Sequence, residues 1–207
     1  MRDASFRRAS TPQRVWQLLL GWGSVGLASI AMGTPAVIPM TALDRIIPFS
    51  VAAVWIYLSF FLLIPYAYLQ VDEAYLRWLR QSMQCSAVIC GGLFLLWPTT
   101  LIYPPIQGVG ASVTLLRWLA ATDSPQNCLP SLHGALTVPC VWSLYSRRRP
   151  LRSILTVAAG LSIGISIIAV RRHLSIDLGA GVAVGLGCGW LCRVTYRTPD
   201  QQSLELV

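Results

Sequence analysis

Apolar residues run together in this chain, and polar ones gather between the runs. Six stretches, roughly residues 15–32, 50–69, 83–103, 132–146, 153–170 and 178–196, consist almost wholly of apolar and small side chains. A helix needs about 20 such residues to cross the hydrocarbon of a bilayer. The pattern therefore predicts an all-α integral membrane six-helix bundle with short connections. The second run is the most apolar, and Pro65 within it predicts a kink. The fourth is short and opens at Pro130, a suitable first-turn proline. Gly160 and Gly164 in the fifth, and Gly181, Gly185 and Gly189 in the sixth, recur every four residues. Small residues at that interval let helix backbones approach closely in lipid, so they read as packing positions. Arg2, Arg7, Arg8 and Arg14 precede the first run, as in a signal peptide. No small-residue cleavage site follows, and the run reads as a retained helix. The organisation expected is a basic cytoplasmic N-terminus over 1–14, a membrane domain over 15–197 and a disordered polar tail over 198–207.

Composition sharpens this picture. The 207 residues are 55% hydrophobic and 12% charged, with mean hydropathy +0.59. A disordered chain needs the opposite balance, and a soluble domain carries about 25% charge. The net charge is +8, and all 16 basic residues are arginine. Such a balance suits nucleic acid in a soluble protein; the apolar background argues against it here, and no nucleic-acid partner is expected. With six spans and a cytoplasmic N-terminus, Arg2, Arg7, Arg8, Arg14, Arg77, Arg80, Arg147, Arg148, Arg149, Arg152, Arg193 and Arg197 fall inside. Only Arg45, Arg117, Arg171 and Arg172 fall outside. This positive-inside bias predicts a cytoplasmic-membrane protein with both termini inside, and basic residues on that face favour anionic lipid. Of the cysteines, 85, 90, 140, 188 and 192 lie in apolar stretches and read as buried free thiols; Cys128 falls in a loop. Trp16, Trp55, Trp78, Trp97, Trp142, Tyr145 and Tyr196 read as interfacial anchors. Asp72, Glu73, Arg77 and Arg80 read as a solvated inner loop, and Asp44–Arg45 as a boundary pair.

The chain has two histidines, His133 and His173, each at a helix boundary on the predicted outer face. One lies in Asn127-Cys128-Leu129-Pro130-Ser131-Leu132-His133-Gly134, the other in Arg171-Arg172-His173-Leu174-Ser175-Ile176-Asp177. Two arginines, a histidine and an aspartate are costly at a membrane boundary without partners. Simple capping of a helix C-terminus by Arg171 and Arg172 is one reading. Phosphate chemistry is the other. Arginine forks match phosphate oxygens, and a helix starting near Pro130–Ser131 points free N–H groups at an anion. His173 and Asp177, four apart, share a helical face, so the carboxylate can hold one ring nitrogen and orient the other. A histidine so held can attack phosphorus, while the second protonates the leaving oxygen. With no carboxylate cluster and both histidines committed, neither metal nor cofactor is expected.

These segments resemble the type-2 phosphatidic acid phosphatase superfamily, which includes inositol phosphorylceramide synthases and vanadium haloperoxidases. Pro130-Ser131-x-His133 is similar to its second motif, and Ser166 followed by His173-x-x-x-Asp177 to its third. The resemblance extends over roughly residues 40–190. It implies His173 as nucleophile, forming a phosphohistidine, with Asp177 orienting it. It implies His133 as general acid, then base. Ser131 and the amide of the following turn, at Gly134, would bind phosphate oxygens together with Arg171, Arg172 and Arg117. The implied activity is a phosphatase on lipid-linked phosphate esters, facing the periplasm. A phosphotransferase of the synthase type and a catalytically degenerate membrane protein are the alternatives.

Two departures bear on the choice. Ile167 stands where the third motif usually has arginine, and Tyr103-Pro104 where the first has Arg-Pro; the chain also lacks the first motif's lysine. Each charge-assisted hydrogen bond is worth roughly 1.5–3 kcal/mol. Arg171 and Arg117 are the expected substitutes. A substrate of lower charge, a phosphodiester, is the other resolution.

Overall fold

A computed structural model describes residues 11–27, 34–71 and 73–195. Nine α-helices are formed among the described residues: α1 (Thr11–Leu27), α2 (Ala42–Ile46), α3 (Val54–Leu58), α4 (Phe60–Gln70), α5 (Glu73–Leu96), α6 (Ala111–Thr122), α7 (Leu132–Leu144), α8 (Pro150–Ala169) and α9 (Ser175–Thr195). A 3-10 turn, Val51–Ala53, leads into α3. Two short strands, β1 (Ala36–Val37) and β2 (Thr99–Thr100), pair in parallel, Ala36 opposite Thr99. Three segments are long and apolar enough to cross a membrane: Val51–Gln70, Pro150–Ala169 and Ser175–Arg193. The mostly helical architecture is consistent with the all-α expectation, with three of the six expected spans long and apolar enough to cross a membrane among the described residues. Most of the basic N-terminus (1–10) and the polar tail lie outside the described residues.

Several expected boundaries move. The third apolar run begins ten residues earlier, because nothing between Glu73 and Leu96 breaks a helix. Glu73, Arg77 and Arg80 therefore sit on α5 and not in a loop. The helix stops at Trp97-Pro98, since a residue before proline leaves the α region, and 97–103 continues extended through β2. In the second run the interruption falls at Ser59, not Pro65. The ring of Pro65 crowds the carbonyl four residues back, and the Ser59 hydroxyl donates to the Ile56 carbonyl, competing with the helix ladder. Helix α6 lies in what reads as an outer loop. It buries Val113, Leu116 and Leu119, and Gly110 at φ 122° opens it, a conformation suited to glycine. Arg14 is no part of a free basic tail. It is buried on α1 and donates to the carbonyls of Tyr68, Leu69 and Val71, at 3.1, 3.1 and 2.7 Å, closing the end of α4.

Helix α7 lies between α9, α5, α4 and α8. Tyr57, Ile64, Tyr68, Met83, Leu136 and Ile163 form part of the core around it. Trp78 belongs to this interior rather than to an interface: it is buried, and its Nε1 donates to the Gly189 carbonyl at 2.8 Å.

The glycine spacing has a direct structural meaning. A Cβ on Gly181 would collide with the Ser131 carbonyl, and one on Gly185 would lie 2.5 Å from the Ala135 carbonyl. The backbones of α7 and α9 are in contact. In lipid, van der Waals packing of this kind replaces the hydrophobic drive. Gly187, on the other side of α9, has nothing within 4 Å. Gly185→Ala should cost about 1–3 kcal/mol by overpacking. Gly187→Ala should be neutral or stabilise by roughly 0.5–1 kcal/mol, since alanine is the better helix former. Thermal melts of the purified variants check this; equal melting temperatures would remove the close-contact explanation.

Candidate functional site

His133 and His173 come together although 40 residues separate them in sequence. Their ring centroids are 5.6 Å apart with the planes at 64°. The α7–α9 contact causes this. His133 sits in the first turn of α7, and His173 lies just before α9. The Ser131 amide donates to the Asp177 carbonyl at 2.8 Å, joining the two segments at the point where both helices begin.

The Nδ1 of His173 is 2.9 Å from the Cys128 carbonyl. With Nδ1–H donating there, Nε2 carries the lone pair. Asp177 was expected to make this bond. Its Oδ2 instead accepts the Leu174 amide at 2.8 Å, half of a capping box on α9, and stands 3.8 Å from Nδ1. That is beyond hydrogen-bond range, so Asp177 acts on the imidazole through its charge. His133 is bounded by aromatic rings, with Phe60 at 4.8 Å and Tyr57 at 5.0 Å between centroids. Its Nε2 is 2.8 Å from the Tyr57 hydroxyl, while its buried Nδ1 has no partner.

Both rings line one cavity of about 270 Å³, with Tyr57, Phe60, Phe61, Trp118, Asp123 and Asn127 among its walls. Asp123 and Tyr57 lie in runs that resemble the family, Asp123-Ser-Pro125-Gln-Asn127 and Trp55-Ile-Tyr57-Leu-Ser59, but neither was assigned a role in the site. Their signal lay in position, Tyr57 one turn into an apolar run and Asp123 at the C-terminal end of an unforeseen helix.

The residues expected to hold phosphate are otherwise engaged. Ser131 is fully buried and caps α7, its Oγ accepting the Gly134 amide at 3.3 Å, so neither hydroxyl nor amide is open to an anion. Arg171 is a structural clamp. It adopts φ 54°, and its guanidinium donates to the carbonyls of Asp44 and Ile47, both at 2.7 Å, and of Ile168 at 3.2 Å. Arg117 binds the carbonyls of Ile106 and Gly108, fixing the loop before α6. Arg172 remains closest to the cavity. It pairs with Asp123 at 2.9 Å and lies 5.0 Å over the Tyr103 ring. Its Nε is buried without a partner. Tyr103, in the place expected for arginine, thus supports a cation instead of supplying one.

Asp44 is more than a boundary residue. It is fully buried, accepts the Ser175 amide and the Thr41 amide, both at 2.7 Å, and forms a capping box on α2. Burial pushes its carboxyl up, but the bonds from Thr41 and Ser175 outweigh this and hold it below the ordinary carboxylate range.

One group of donors could hold a metal among the described residues: Cys128, His173 and Asp177, with ligand atoms within 4.8 Å of one another. Burial pushes the Cys128 thiol up to about 11, and its sulfur is 3.5 Å from the Tyr103 hydroxyl. In this arrangement the Nδ1 of His173 is taken up by the Cys128 carbonyl.

No family model matches this chain, and neither a curated protein nor a solved structure matches it. The phosphatase resemblance therefore rests on the motif residues themselves.

Two outcomes follow from the clamps. Arg171→Ala, which removes the guanidinium donors to the Asp44 and Ile47 carbonyls, should lower the melting temperature markedly, whereas Arg117→Ala should change it little; the reverse order would shift the structural role to the loop. Asp44→Asn should cost roughly 1–3 kcal/mol near neutral pH. A carboxyl with a lowered folded pKa stabilises above its unfolded value of about 3.9 and loses that contribution as pH falls through the folded one. Melting temperature against pH should fall below about pH 4 in the wild type and fall less steeply in Asp44→Asn.

Proposed function

We propose that the protein is a membrane-bound phosphatase or phosphotransferase acting on lipid phosphate esters, with His173 as nucleophile. The observation that carries this reading is the histidine pair itself. One ring is held at Nδ1, leaving Nε2 unshared, and the second packs against it on the wall of the same cavity.

In the first half-reaction, Nε2 of His173 bonds to phosphorus as the bond from phosphorus to the leaving alcohol breaks. Protonated His133 gives its proton to that oxygen. Its Nε2 exchanges the Tyr57 hydroxyl for the substrate at this step, and catalytic hydrogen bonds of this kind tighten only in the complex. The Cys128 carbonyl and the Asp177 charge stabilise the cationic phosphohistidine. Water or a second alcohol then bonds to phosphorus, the P–N bond breaks, and His133 takes the acceptor's proton. Arg172, paired with Asp123 at the cavity wall, supplies positive charge behind that wall as charge develops on the phosphoryl oxygens.

The membrane setting supports this reading. The three spanning segments and exposed apolar residues such as Leu62, Val88, Ile154 and Leu161 suit a bilayer. A six-span topology with cytoplasmic termini and an outward-facing site completes the proposal.

The test is a phosphate-labelled lipid incubated with the purified protein. A label that is stable to alkali, labile to acid and absent in His173→Ala is the expected result, with product release also lost. Undiminished turnover by His173→Ala would remove the nucleophile assignment.

A further inference from the structure

Among the described residues lining the cavity, Asp123 is the only carboxylate, and no arginine lines it. A phosphate monoester carries nearly two negative charges at neutral pH. It would meet an acidic wall with Ser131, Gly134, Arg171 and Arg117 all committed elsewhere. The cavity is poorly built for that substrate.

It is well built for a different charge pattern. The carboxylate of Asp123 has one oxygen on Arg172; the other lies outside that bond, and the side chain is 29% exposed. Tyr57, Phe60, Phe61 and Trp118 line the same cavity. Aromatic faces beside a carboxylate are the chemistry that recognises an ammonium ion. Behind the wall stands Arg172, whose side chain is 6% exposed and whose Nε is buried without a partner. Arg172 and Asp123 together form a fixed zwitterion next to His173. Its opposite is a headgroup with a phosphate and an ammonium a few bonds apart. Docked in reversed sense, phosphate meets His173, with the Arg172 charge behind the wall, while ammonium meets Asp123. Such a headgroup brings no net charge into an apolar cavity, which limits the desolvation cost that an anion would carry alone.

Building on the phosphotransfer reading above, we infer that the substrate is a zwitterionic phosphodiester lipid, its ammonium held by Asp123 and the aromatic wall of Trp118 and Phe61. The cleaved bond is that between phosphorus and the lipid alcohol. The headgroup phosphoryl passes to Nε2 of His173, and the lipid alcohol takes the proton from His133. Water or an acceptor alcohol then receives the headgroup phosphoryl. Asp123, Trp118 and Phe61 determine specificity and touch the transferred group.

The experiment compares water-soluble short-chain lipids bearing phosphocholine, phosphoethanolamine, phosphoglycerol and phosphate headgroups, read both as product formation and as binding by tryptophan fluorescence. The choline and ethanolamine forms should bind and turn over best. Asp123→Asn and Trp118→Ala should each weaken them by roughly tenfold and lower the preference for the choline over the phosphoglycerol form, and Trp118→Phe should restore much of that preference. Trp118→Ala covers the case in which Asp123→Asn fails to fold without its partnership to Arg172; its binding is read by competition with a fluorescent choline lipid. Equal or better use of the phosphate or phosphoglycerol lipids would overturn the inference and leave the phosphotransfer reading standing. Selective binding of ammonium lipids without any turnover would overturn the transfer step instead and uphold headgroup recognition.

Discussion

Where α7 and α9 begin, their backbones touch, and the position of both imidazoles in the cavity descends from that contact. Gly181 and Gly185 remove the side chains that would hold the helices apart. The Ser131 amide then reaches the Asp177 carbonyl, and two segments 40 residues apart are fixed against each other. A larger residue at either glycine would separate the histidines as well as the helices. The packing requirement and the chemical requirement fall on the same residues.

Around that contact, charge is buried in order to hold backbone. Arg171 ties the end of α8 to α2 through three carbonyls, and Asp44 answers from α2 by capping the start of α9. Arg14 does similar work at the opposite end of α4. A guanidinium has five donors in a rigid fork, so one side chain can satisfy several carbonyls that helix ends leave open. These ionic groups are at home among apolar residues because their hydrogen bonds are complete. Arg172 and Asp177 differ, each keeping a buried polar atom without a partner near the cavity, Nε and Oδ1.

Much of this was legible in the sequence, for reasons that also explain what was not. Long apolar runs announce helices, and α7, α8 and α9 fall close to the expected positions because their ends carry Ser131, Pro150 and the Ser175–Asp177 turn. The pairing of His133 with His173 followed from matching boundaries on one face. The start of α5 did not follow, because charge at Glu73, Arg77 and Arg80 masks a continuous helix from a search for hydrophobicity. Helix α6 was hidden for the same reason, though Val113, Leu116 and Leu119 recur every third residue. The arginines near the motifs could not be apportioned from sequence at all. Arg117 and Arg171 spend their donors on carbonyls, which every residue possesses, so no partner residue type signals the bond. Asp123 and Tyr57 lie in runs that resemble the family, but no spacing within those runs singled out either side chain as part of the site.

The same construction divides the cavity into two mechanically different halves. Its floor, with both imidazoles, is backbone against backbone and admits no adjustment short of separating two helices. Its wall consists of Tyr57 and Phe61 from an interrupted helix and of Trp118 and Asp123 from α6, a helix that rests on three buried side chains. On the proposed function, passage of a lipid into or out of the cavity falls to the wall, while the two imidazoles keep their alignment at the α7–α9 contact.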